Sequence, residues 1–173
     1  MYTKKNECGF VTPEKEIKVV GLSFLKLKEC GAVTDKIQMY GYFQKQDEWR
    51  TKINNLVKPG ANFAIWHKTV DDVIIGAEVS EFGEQDEEFV CFTIPTDEYV
   101  KVLWNAENFE DLVSKRMWGD NEQKNSFFKD NNIEAGKALG IEVYPQDSIA
   151  WEYPEMYGLL SFEKVTTQTE DVK

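Results

Sequence analysis

The sequence predicts an α+β fold in which two β-α-β-β units in tandem form an antiparallel sheet with one helix per half. Three observations support this prediction. Several segments alternate between apolar and polar residues and are rich in β-branched and aromatic side chains. A segment with helical spacing lies inside each half. The order of elements in residues 16–83 recurs in residues 87–165, with flexible ends expected at 1–15 and 166–173 of a single domain spanning 1–173.

The first half opens with a predicted strand over residues 16–28, where alternate apolar residues share one face. Apolar residues then recur at helical spacing over residues 38–57, which predicts an amphipathic helix that ends at Pro59-Gly60. Residues 62–68 and 73–82 alternate again and predict two strands joined by a turn at Asp71-Asp72. The first half is therefore predicted as strand, helix, strand, strand.

The second half repeats this order. Residues 88–94 and 98–104 are predicted strands, and a helix is predicted from about residue 105, with Glu110 and Asp111 in its first turn. Residues 131–140 fit either a short helix or an irregular connection, and both alternatives stay open. Residues 148–165 predict a terminal hairpin of two strands joined through Pro154 and Glu155.

One acidic residue of the predicted hairpin, Glu152, lies between Trp151 and Tyr153. In a strand its side chain would point away from both aromatic neighbours, because successive side chains alternate between the two faces. Glu152 would then either face water or project into a cavity, and the residue pattern alone leaves both possibilities open.

Composition excludes several classes of function. The net charge of −11 argues against direct nucleic-acid binding, which needs clustered Lys and Arg. The three cysteines are odd in number and match no zinc spacing, which predicts reduced thiols in a cytoplasmic protein. We expect no signal peptide and no membrane span. With one histidine, His67, we expect neither a metal site nor a cofactor.

Four stretches in order carry a resemblance to a known family: IIGAEV at 74–79, FTIPTDEYVKVLW at 92–104, NFEDLVSKRMW at 108–118 and AWEY at 150–153. No one of them is specific, and the resemblance depends on their order over residues 16–165. The chain resembles the GyrI-like small-molecule-binding domain, the effector-binding domain of AraC- and MerR-type regulators, with its SOUL-like duplicated fold. It has no N-terminal helix-turn-helix, so we expect a stand-alone domain that does not bind DNA directly.

The resemblance implies a central cleft between the two halves that accepts amphipathic, often cationic, small molecules. Family members carry a glutamate in the last sheet that meets the positive charge of the ligand, and the matching position here is Glu152. Aromatic side chains wall such clefts. The candidate wall residues in this sequence are Trp66, Trp104, Trp118 and Tyr40.

Three functions are compatible with the sequence, in this order of preference. The first is a binding module that senses or sequesters amphipathic cations, linked to transcription regulation or to drug and toxin resistance. The second is a protein-interaction module, because the resemblance includes stand-alone inhibitors of DNA gyrase. The third is an enzyme, because relatives hydrolyse reactive toxins with a cleft glutamate near an aromatic hydroxyl. No catalytic residue is assigned, and an enzyme is the less favoured interpretation.

Overall fold

Eight antiparallel strands form one sheet within residues 1–114, 121–145 and 147–166, which the computed structural model describes. The strands are β1 (Asn6–Val11), β2 (Ile17–Ser23), β3 (Asn62–His67), β4 (Asp72–Val79), β5 (Val90–Ile94), β6 (Tyr99–Asn105), β7 (Ile133–Tyr144) and β8 (Glu155–Lys164). The α-helices are α1 (Phe24–Glu29), α2 (Gln46–Arg50), α3 (Phe109–Ser114) and α4 (Glu122–Asp130). Two 3-10 helices cover Lys36–Phe43 and Ser148–Ala150.

The strand order across the sheet is β1-β6-β8-β7-β3-β4-β2-β5. Three strands of each half stay together, and β3 and β7 join the halves at the centre of the sheet. The first strand of each half crosses over, because β1 pairs with β6 and β5 pairs with β2. The α+β class, the antiparallel sheet and the tandem arrangement predicted from the sequence are confirmed.

The N-terminal segment differs from the prediction of a loose end over residues 1–15. It contains β1, which pairs with β6 from Asn6 opposite Trp104 to Val11 opposite Tyr99. β1 is an edge strand, and an edge strand can carry polar residues because one side of it faces water. Its partner β6 lies about 90 residues away in the sequence, so the local residue pattern gives little sign of the pairing. Each half therefore has two strands before its helices. At the other end, residues 167–173 of the predicted tail lie outside the described residues.

Two predicted elements of the first half have a different form. Residues 24–29 form α1 rather than the end of a strand, and the Ser23 hydroxyl caps this helix by accepting from the Lys26 amide. The helix predicted over 38–57 is replaced by the first 3-10 helix and the short α2. Its apolar residues are buried as expected, because burial depends on packing against the sheet rather than on a continuous helix.

The terminal hairpin, predicted over residues 148–165, is formed instead by β7 and β8 and begins at Ile133. Residues 131–140, for which a short helix and an irregular connection were both open, enter β7 at Ile133. The strand predicted at 148–153 is instead a 3-10 turn followed by a bend, and β8 begins only at Glu155. Glycines and an irregularity in the β7–β8 register between Ala135 and Gly140 interrupt the alternation that identifies a strand.

The two faces of the sheet carry separate cores. The helix-covered face, packed against the helical segments, contains residues such as Val20, Ala64 and Tyr144. The opposite face contains only strand residues in its buried core, such as Val19, Phe63 and Val143. The sheet curls strongly around this opposite face, because the rings of His67 on β3 and Phe92 on β5 lie 5.2 Å apart although two strands separate them in the sheet.

Tyr99 at the start of β6 makes the stability of this core dependent on pH. The side chain is 1% exposed and its hydroxyl donates to the Pro95 carbonyl at 2.9 Å. Burial, followed by the charge of Asp97, raises the pKa of Tyr99 to about 12. A raised pKa favours the protonated phenol in the folded state, so its contribution is complete below pH ~10 and is lost as the pH rises towards 12.

We expect the free energy of unfolding to fall by about 2 to 3 kcal/mol between pH 10 and pH 12 on account of this residue. Urea unfolding at several pH values would measure it, with the Tyr99→Phe variant as reference. The variant loses a hydrogen bond at every pH but lacks the phenol, so its stability should fall less over this interval. Parallel curves for the two proteins would contradict the assignment.

Candidate functional site

A buried carboxylate lies on the helix-covered face of the central strand β7. Alternation along the sequence Ile141-Glu142-Val143-Tyr144 places Ile141 and Val143 in the core of the opposite face. Glu142 and Tyr144 therefore both point to the helix-covered face, where Tyr144 joins the core. The Glu142 side chain is 0% exposed. Burial of an acid is costly unless other groups compensate, so the surroundings of Glu142 identify the candidate site.

Small residues flank Glu142 on both neighbouring strands. The Cα partner of Glu142 on β3 is Ala64, and its partner on β8 is Gly158. Cross-strand neighbours on one face are about 5 Å apart, so two large side chains there would fill the space around the carboxylate. The methyl group of Ala64 and the hydrogen of Gly158 are small, so side chains from other elements can occupy the space around the carboxylate.

Three aromatic side chains donate hydrogen bonds to Glu142. The Tyr144 hydroxyl donates to Oε1 at 2.7 Å. Trp66 Nε1 lies 3.1 Å from Oε2 and 3.0 Å from the Tyr40 oxygen, and the Tyr40 hydroxyl also donates to Oε2. These three donors, which the described residues supply, are uncharged groups. The residues Glu142, Tyr40, Trp66 and Tyr144 are called the Glu142 site below.

A cluster of aromatic rings holds the two tyrosines in place. Phe43, from the first 3-10 helix, lies 4.6 Å from the Tyr144 ring and 5.9 Å from the Tyr40 ring, measured between centroids. Phe109 of α3 packs edge-on against Phe43 and Tyr144 at 6.2 Å. Since Phe43 is fully buried, the hydroxyl groups above it are held by packing as well as by hydrogen bonds.

A lysine already lies beside the aromatic wall of the site. The Lys36 ammonium is 6.0 Å from the centre of the Trp66 ring and also forms an ion pair with Asp71. This distance is at the limit of a cation–π contact. The arrangement shows that a positive charge and the face of Trp66 can be neighbours in this protein.

The structure brings together two of the five side chains predicted from the sequence, Tyr40 and Trp66. Trp104 lies on the helix-covered face but on β6, which β8 separates from β7. Its indole N–H is buried and has no hydrogen-bond partner among the described residues, and the Lys4 ammonium lies 5.2 Å from its ring. Trp118 lies outside the described residues.

Glu152 occupies a position unlike the one predicted for it. It lies in the bend after the second 3-10 helix, outside the sheet, and its side chain is exposed. The prediction placed it in a strand because Trp151, Glu152 and Tyr153 alternate, but three residues cannot distinguish a strand from a turn. An acid with a fully buried side chain lies elsewhere on the sheet: it is Glu142 on β7, which the sequence reasoning missed.

A signal for Glu142 was nevertheless present. In the stretch GIEVY, at residues 140–144, Ile and Val alternate with an acid and a tyrosine, which is the pattern of a strand with two different faces. The nearby Gly136, Lys137 and Gly140 obscured it, because glycine and lysine are uncommon in strands. Treating 141–144 as a strand would have placed Glu142 on the face opposite to Ile141 and Val143.

The described residues include no group of three or more His, Cys, Asp or Glu side chains that could hold a metal ion. All three cysteines are unpaired: Cys8 is half-buried, and Cys30 and Cys91 are exposed. No helix in the described part of the chain is long and apolar enough to cross a membrane.

Comparison with known proteins reveals similarity in structure rather than in sequence. No family model matches the sequence, and a search of curated proteins found no match. The C-terminal domain of EcmrR superposes with a TM-score of 0.56 at 17% identity, covering 95% of this chain and all of that domain. The EcmrR chain in an EcmrR–DNA complex also superposes on this chain with a TM-score of 0.56, at 16% identity. That superposition covers 94% of this chain and 58% of the EcmrR chain.

Two further structures have the same fold. An integron cassette protein from the mobile metagenome of Vibrio cholerae is similar with a TM-score of 0.54 and 11% identity, covering 90% of this chain and 95% of that one. SAV2435 bound to tetraphenylphosphonium is similar with a TM-score of 0.50 and 10% identity, covering 92% and 94%. These similarities extend over nearly the whole chain, and they confirm the fold implied by the resemblance found in the sequence. The chain therefore shares its fold with the EcmrR C-terminal domain and with SAV2435.

Proposed function

We propose that this chain binds amphipathic, positively charged small molecules on the helix-covered face of its sheet, with Glu142 as the residue that meets the positive charge. The observation that carries the proposal is the arrangement of Glu142, fully buried and held by three aromatic donors. Glu142 thus takes the role that the sequence analysis gave to Glu152. Trp66, Tyr40 and Tyr144 supply aromatic surface, and Trp104 and Trp118 remain proposed wall residues.

The chemistry of such a site favours lipophilic cations over other ligands. Aromatic faces attract a cation with about 0.5–2 kcal/mol each when water is excluded. The apolar body of the ligand gains about 25 cal/mol for each Å² that leaves water. The ion pair with a single carboxylate selects the sign of the charge, while apolar contacts tolerate different shapes. A site of this kind therefore selects for charge and accepts a range of skeletons.

The comparisons support this choice of ligand class at the level of fold. SAV2435 was solved with tetraphenylphosphonium, a lipophilic cation, and EcmrR was solved on DNA. By analogy with those proteins, we propose a link to transcription regulation of the MerR or AraC type and to multidrug binding, without direct DNA contact by this acidic chain. The unpaired thiols fit the cytoplasmic location expected from the sequence.

The test is a titration of intrinsic tryptophan fluorescence with three probes of similar size. These are tetraphenylphosphonium, the anion tetraphenylborate and the neutral triphenylphosphine oxide. We expect saturable quenching by the cation, with an affinity in the micromolar range, and no saturation by the other two. Trp66 reports directly, because its indole N–H is bonded to Glu142. Equal responses to the cation and the anion would contradict the charge selection.

The same geometry favours hydrolysis as a second candidate function. Glu142 could act as a general base on a water molecule, and the two tyrosine hydroxyls bonded to it could donate to a leaving group. Incubation with a panel of electrophilic toxins, followed by mass spectrometry, would reveal turnover. Loss of that turnover in both Glu142→Gln and Tyr40→Phe variants would favour the enzyme. A protein that binds none of the small molecules would point to the interaction module instead.

A further inference from the structure

A second pocket lies on the opposite face of the sheet, away from Glu142. It has a volume of about 420 Å³, within the range of about 300–1,000 Å³ typical of small-molecule sites. We call it the Trp151 pocket. Its described lining includes Ala61, Glu78, Val143, Asp147, Trp151 and Tyr157.

The alternation of β7 separates this pocket from the Glu142 site. Val143 lines the pocket and belongs to the core of the opposite face, while its neighbours Glu142 and Tyr144 point to the helix-covered face. Ala61 and Tyr157 also pack against the core of the opposite face. The two sites are therefore separated by the thickness of the sheet and share no lining residue.

The charge of the pocket is of one sign. Among the described residues that line it, the two charged ones, Glu78 and Asp147, are both acidic. Glu78 is half-buried, and no ion pair or side-chain hydrogen bond joins its carboxylate to any residue the structure describes. The other acid, Asp147, interacts electrostatically with Arg50. Burial lowers the pKa of Arg50, and the negative charges of Asp147 and Asp47 oppose that shift. Glu78 is thus the acid available to a ligand.

Two aromatic side chains, Trp151 and Tyr157, line the pocket. Trp151 is 42% exposed, which is unusual for the largest apolar side chain and leaves its ring partly uncovered beside the pocket. Burial, followed by the charge of Glu78, raises the pKa of Tyr157. The Glu78 carboxylate is therefore close enough to the Tyr157 hydroxyl for the two groups to interact electrostatically. The Lys101 ammonium lies 4.4 Å from the centre of the Tyr157 ring, so Trp151 is the aromatic side chain left to a ligand.

From these observations we infer that the Trp151 pocket is a second binding site, for a flat aromatic cation that carries N–H donors, such as an amine or amidine. The ring of the ligand would cover Trp151 and the apolar floor formed by Val143 and Ala61. Its N–H groups would donate to Glu78, because a half-exposed carboxylate binds best where it accepts charge-assisted hydrogen bonds. This ligand differs from the one proposed for Glu142, whose carboxylate already accepts three hydrogen bonds. The inference does not depend on the proposed function.

The test uses the full chain and the probe 4-aminobenzamidine, with the uncharged 4-aminobenzamide as its comparison, followed by isothermal titration calorimetry. We expect one saturable site for the amidine and none for the amide. Glu78→Gln should weaken the amidine about tenfold, because it removes a charged acceptor. Trp151→Ala should weaken it about fivefold through lost aromatic contact. Glu152→Gln should leave the affinity unchanged, and Glu142→Gln reports whether the probe reaches the other site.

Each alternative outcome overturns the inference. Absence of saturation, equal binding of amidine and amide, or an affinity unaffected by both Glu78→Gln and Trp151→Ala would each do so. Loss of amidine binding in Glu142→Gln would mean that the probe occupies the Glu142 site instead. Because Trp151 is exposed, Trp151→Ala decides the question even if the Glu78 variant fails to fold, as judged by circular dichroism.

Discussion

Replacing Glu142 by glutamine is expected to weaken the binding of tetraphenylphosphonium by about ten- to hundredfold. The loss corresponds to about 1.5–3 kcal/mol, the usual contribution of a charged hydrogen-bonding group relative to a neutral one. Glutamine has nearly the same shape, and its carbonyl oxygen can still accept from Tyr144 or Tyr40. The aromatic walls therefore remain, while the negative charge that favours a cation is removed. The fluorescence titration described above measures the change.

The matched control for this variant is Glu152→Gln. It makes the same chemical change at the acid that the sequence pattern indicated, but on an exposed side chain outside the sheet. Both variants reduce the net negative charge of the protein by one, so a general electrostatic effect would appear in both. We expect the affinity of Glu152→Gln to equal that of the wild type. If Glu152→Gln lost binding and Glu142→Gln kept it, the ligand would bind at the bend and the proposed site would be wrong.

The largest effect on stability is expected from Gly21→Ala. Gly21 on β2 is paired with Gly76 on β4, and the backbones of the two strands approach closely there. A Cβ atom at Gly21 would lie 2.7 Å from the carbonyl carbon of Ile75, and closer still to its oxygen and to the Cα of Gly76. These are backbone atoms that cannot move aside without breaking the pairing of β2 with β4. We expect a loss of more than about 3 kcal/mol, enough to unfold a marginally stable domain.

Gly9→Ala is the control for this prediction. Gly9 lies in the edge strand β1, and a Cβ atom there would meet nothing within 4 Å. Alanine should therefore be tolerated or slightly stabilising, because it restricts the unfolded chain more than glycine does. Thermal unfolding followed by circular dichroism compares the two variants with the wild type. Similar melting temperatures for Gly21→Ala and Gly9→Ala would show that β2 and β4 can separate without cost.

The curl of the sheet gives the two candidate sites different surroundings. It brings Phe92 of β5 against His67 of β3, and the paired Gly21 and Gly76 lie on the two strands between them. The opposite face is then filled mainly by strand residues, and the helices are left to the face that carries Glu142. The two faces thus acquire different environments from one continuous sheet.

Much of the strand pattern was determined by the sequence itself. The strands β3 to β6 lie within a few residues of their predicted positions, because they are rich in β-branched and aromatic residues and turn-forming residues lie between them. The antiparallel α+β class and the resemblance to the GyrI-like fold followed from this order. The resemblance also implied Tyr40 and Trp66 as candidate wall residues, and the structure places both beside Glu142.

The tertiary structure decided which acid lies inside. Glu142 lies between Ile141 and Val143, and Glu152 lies between Trp151 and Tyr153. Both acids alternate with large apolar or aromatic residues, so this alternation alone does not say which of the two is buried. What separates them is pairing over a long range: β7 lies between β3 and β8, and its partners Ala64 and Gly158 leave space around Glu142. Residues 151–153 have no strand partner and stay in a bend. Burial of a charged group depends on neighbours that are distant in the chain, and for that reason only the folded protein reveals it.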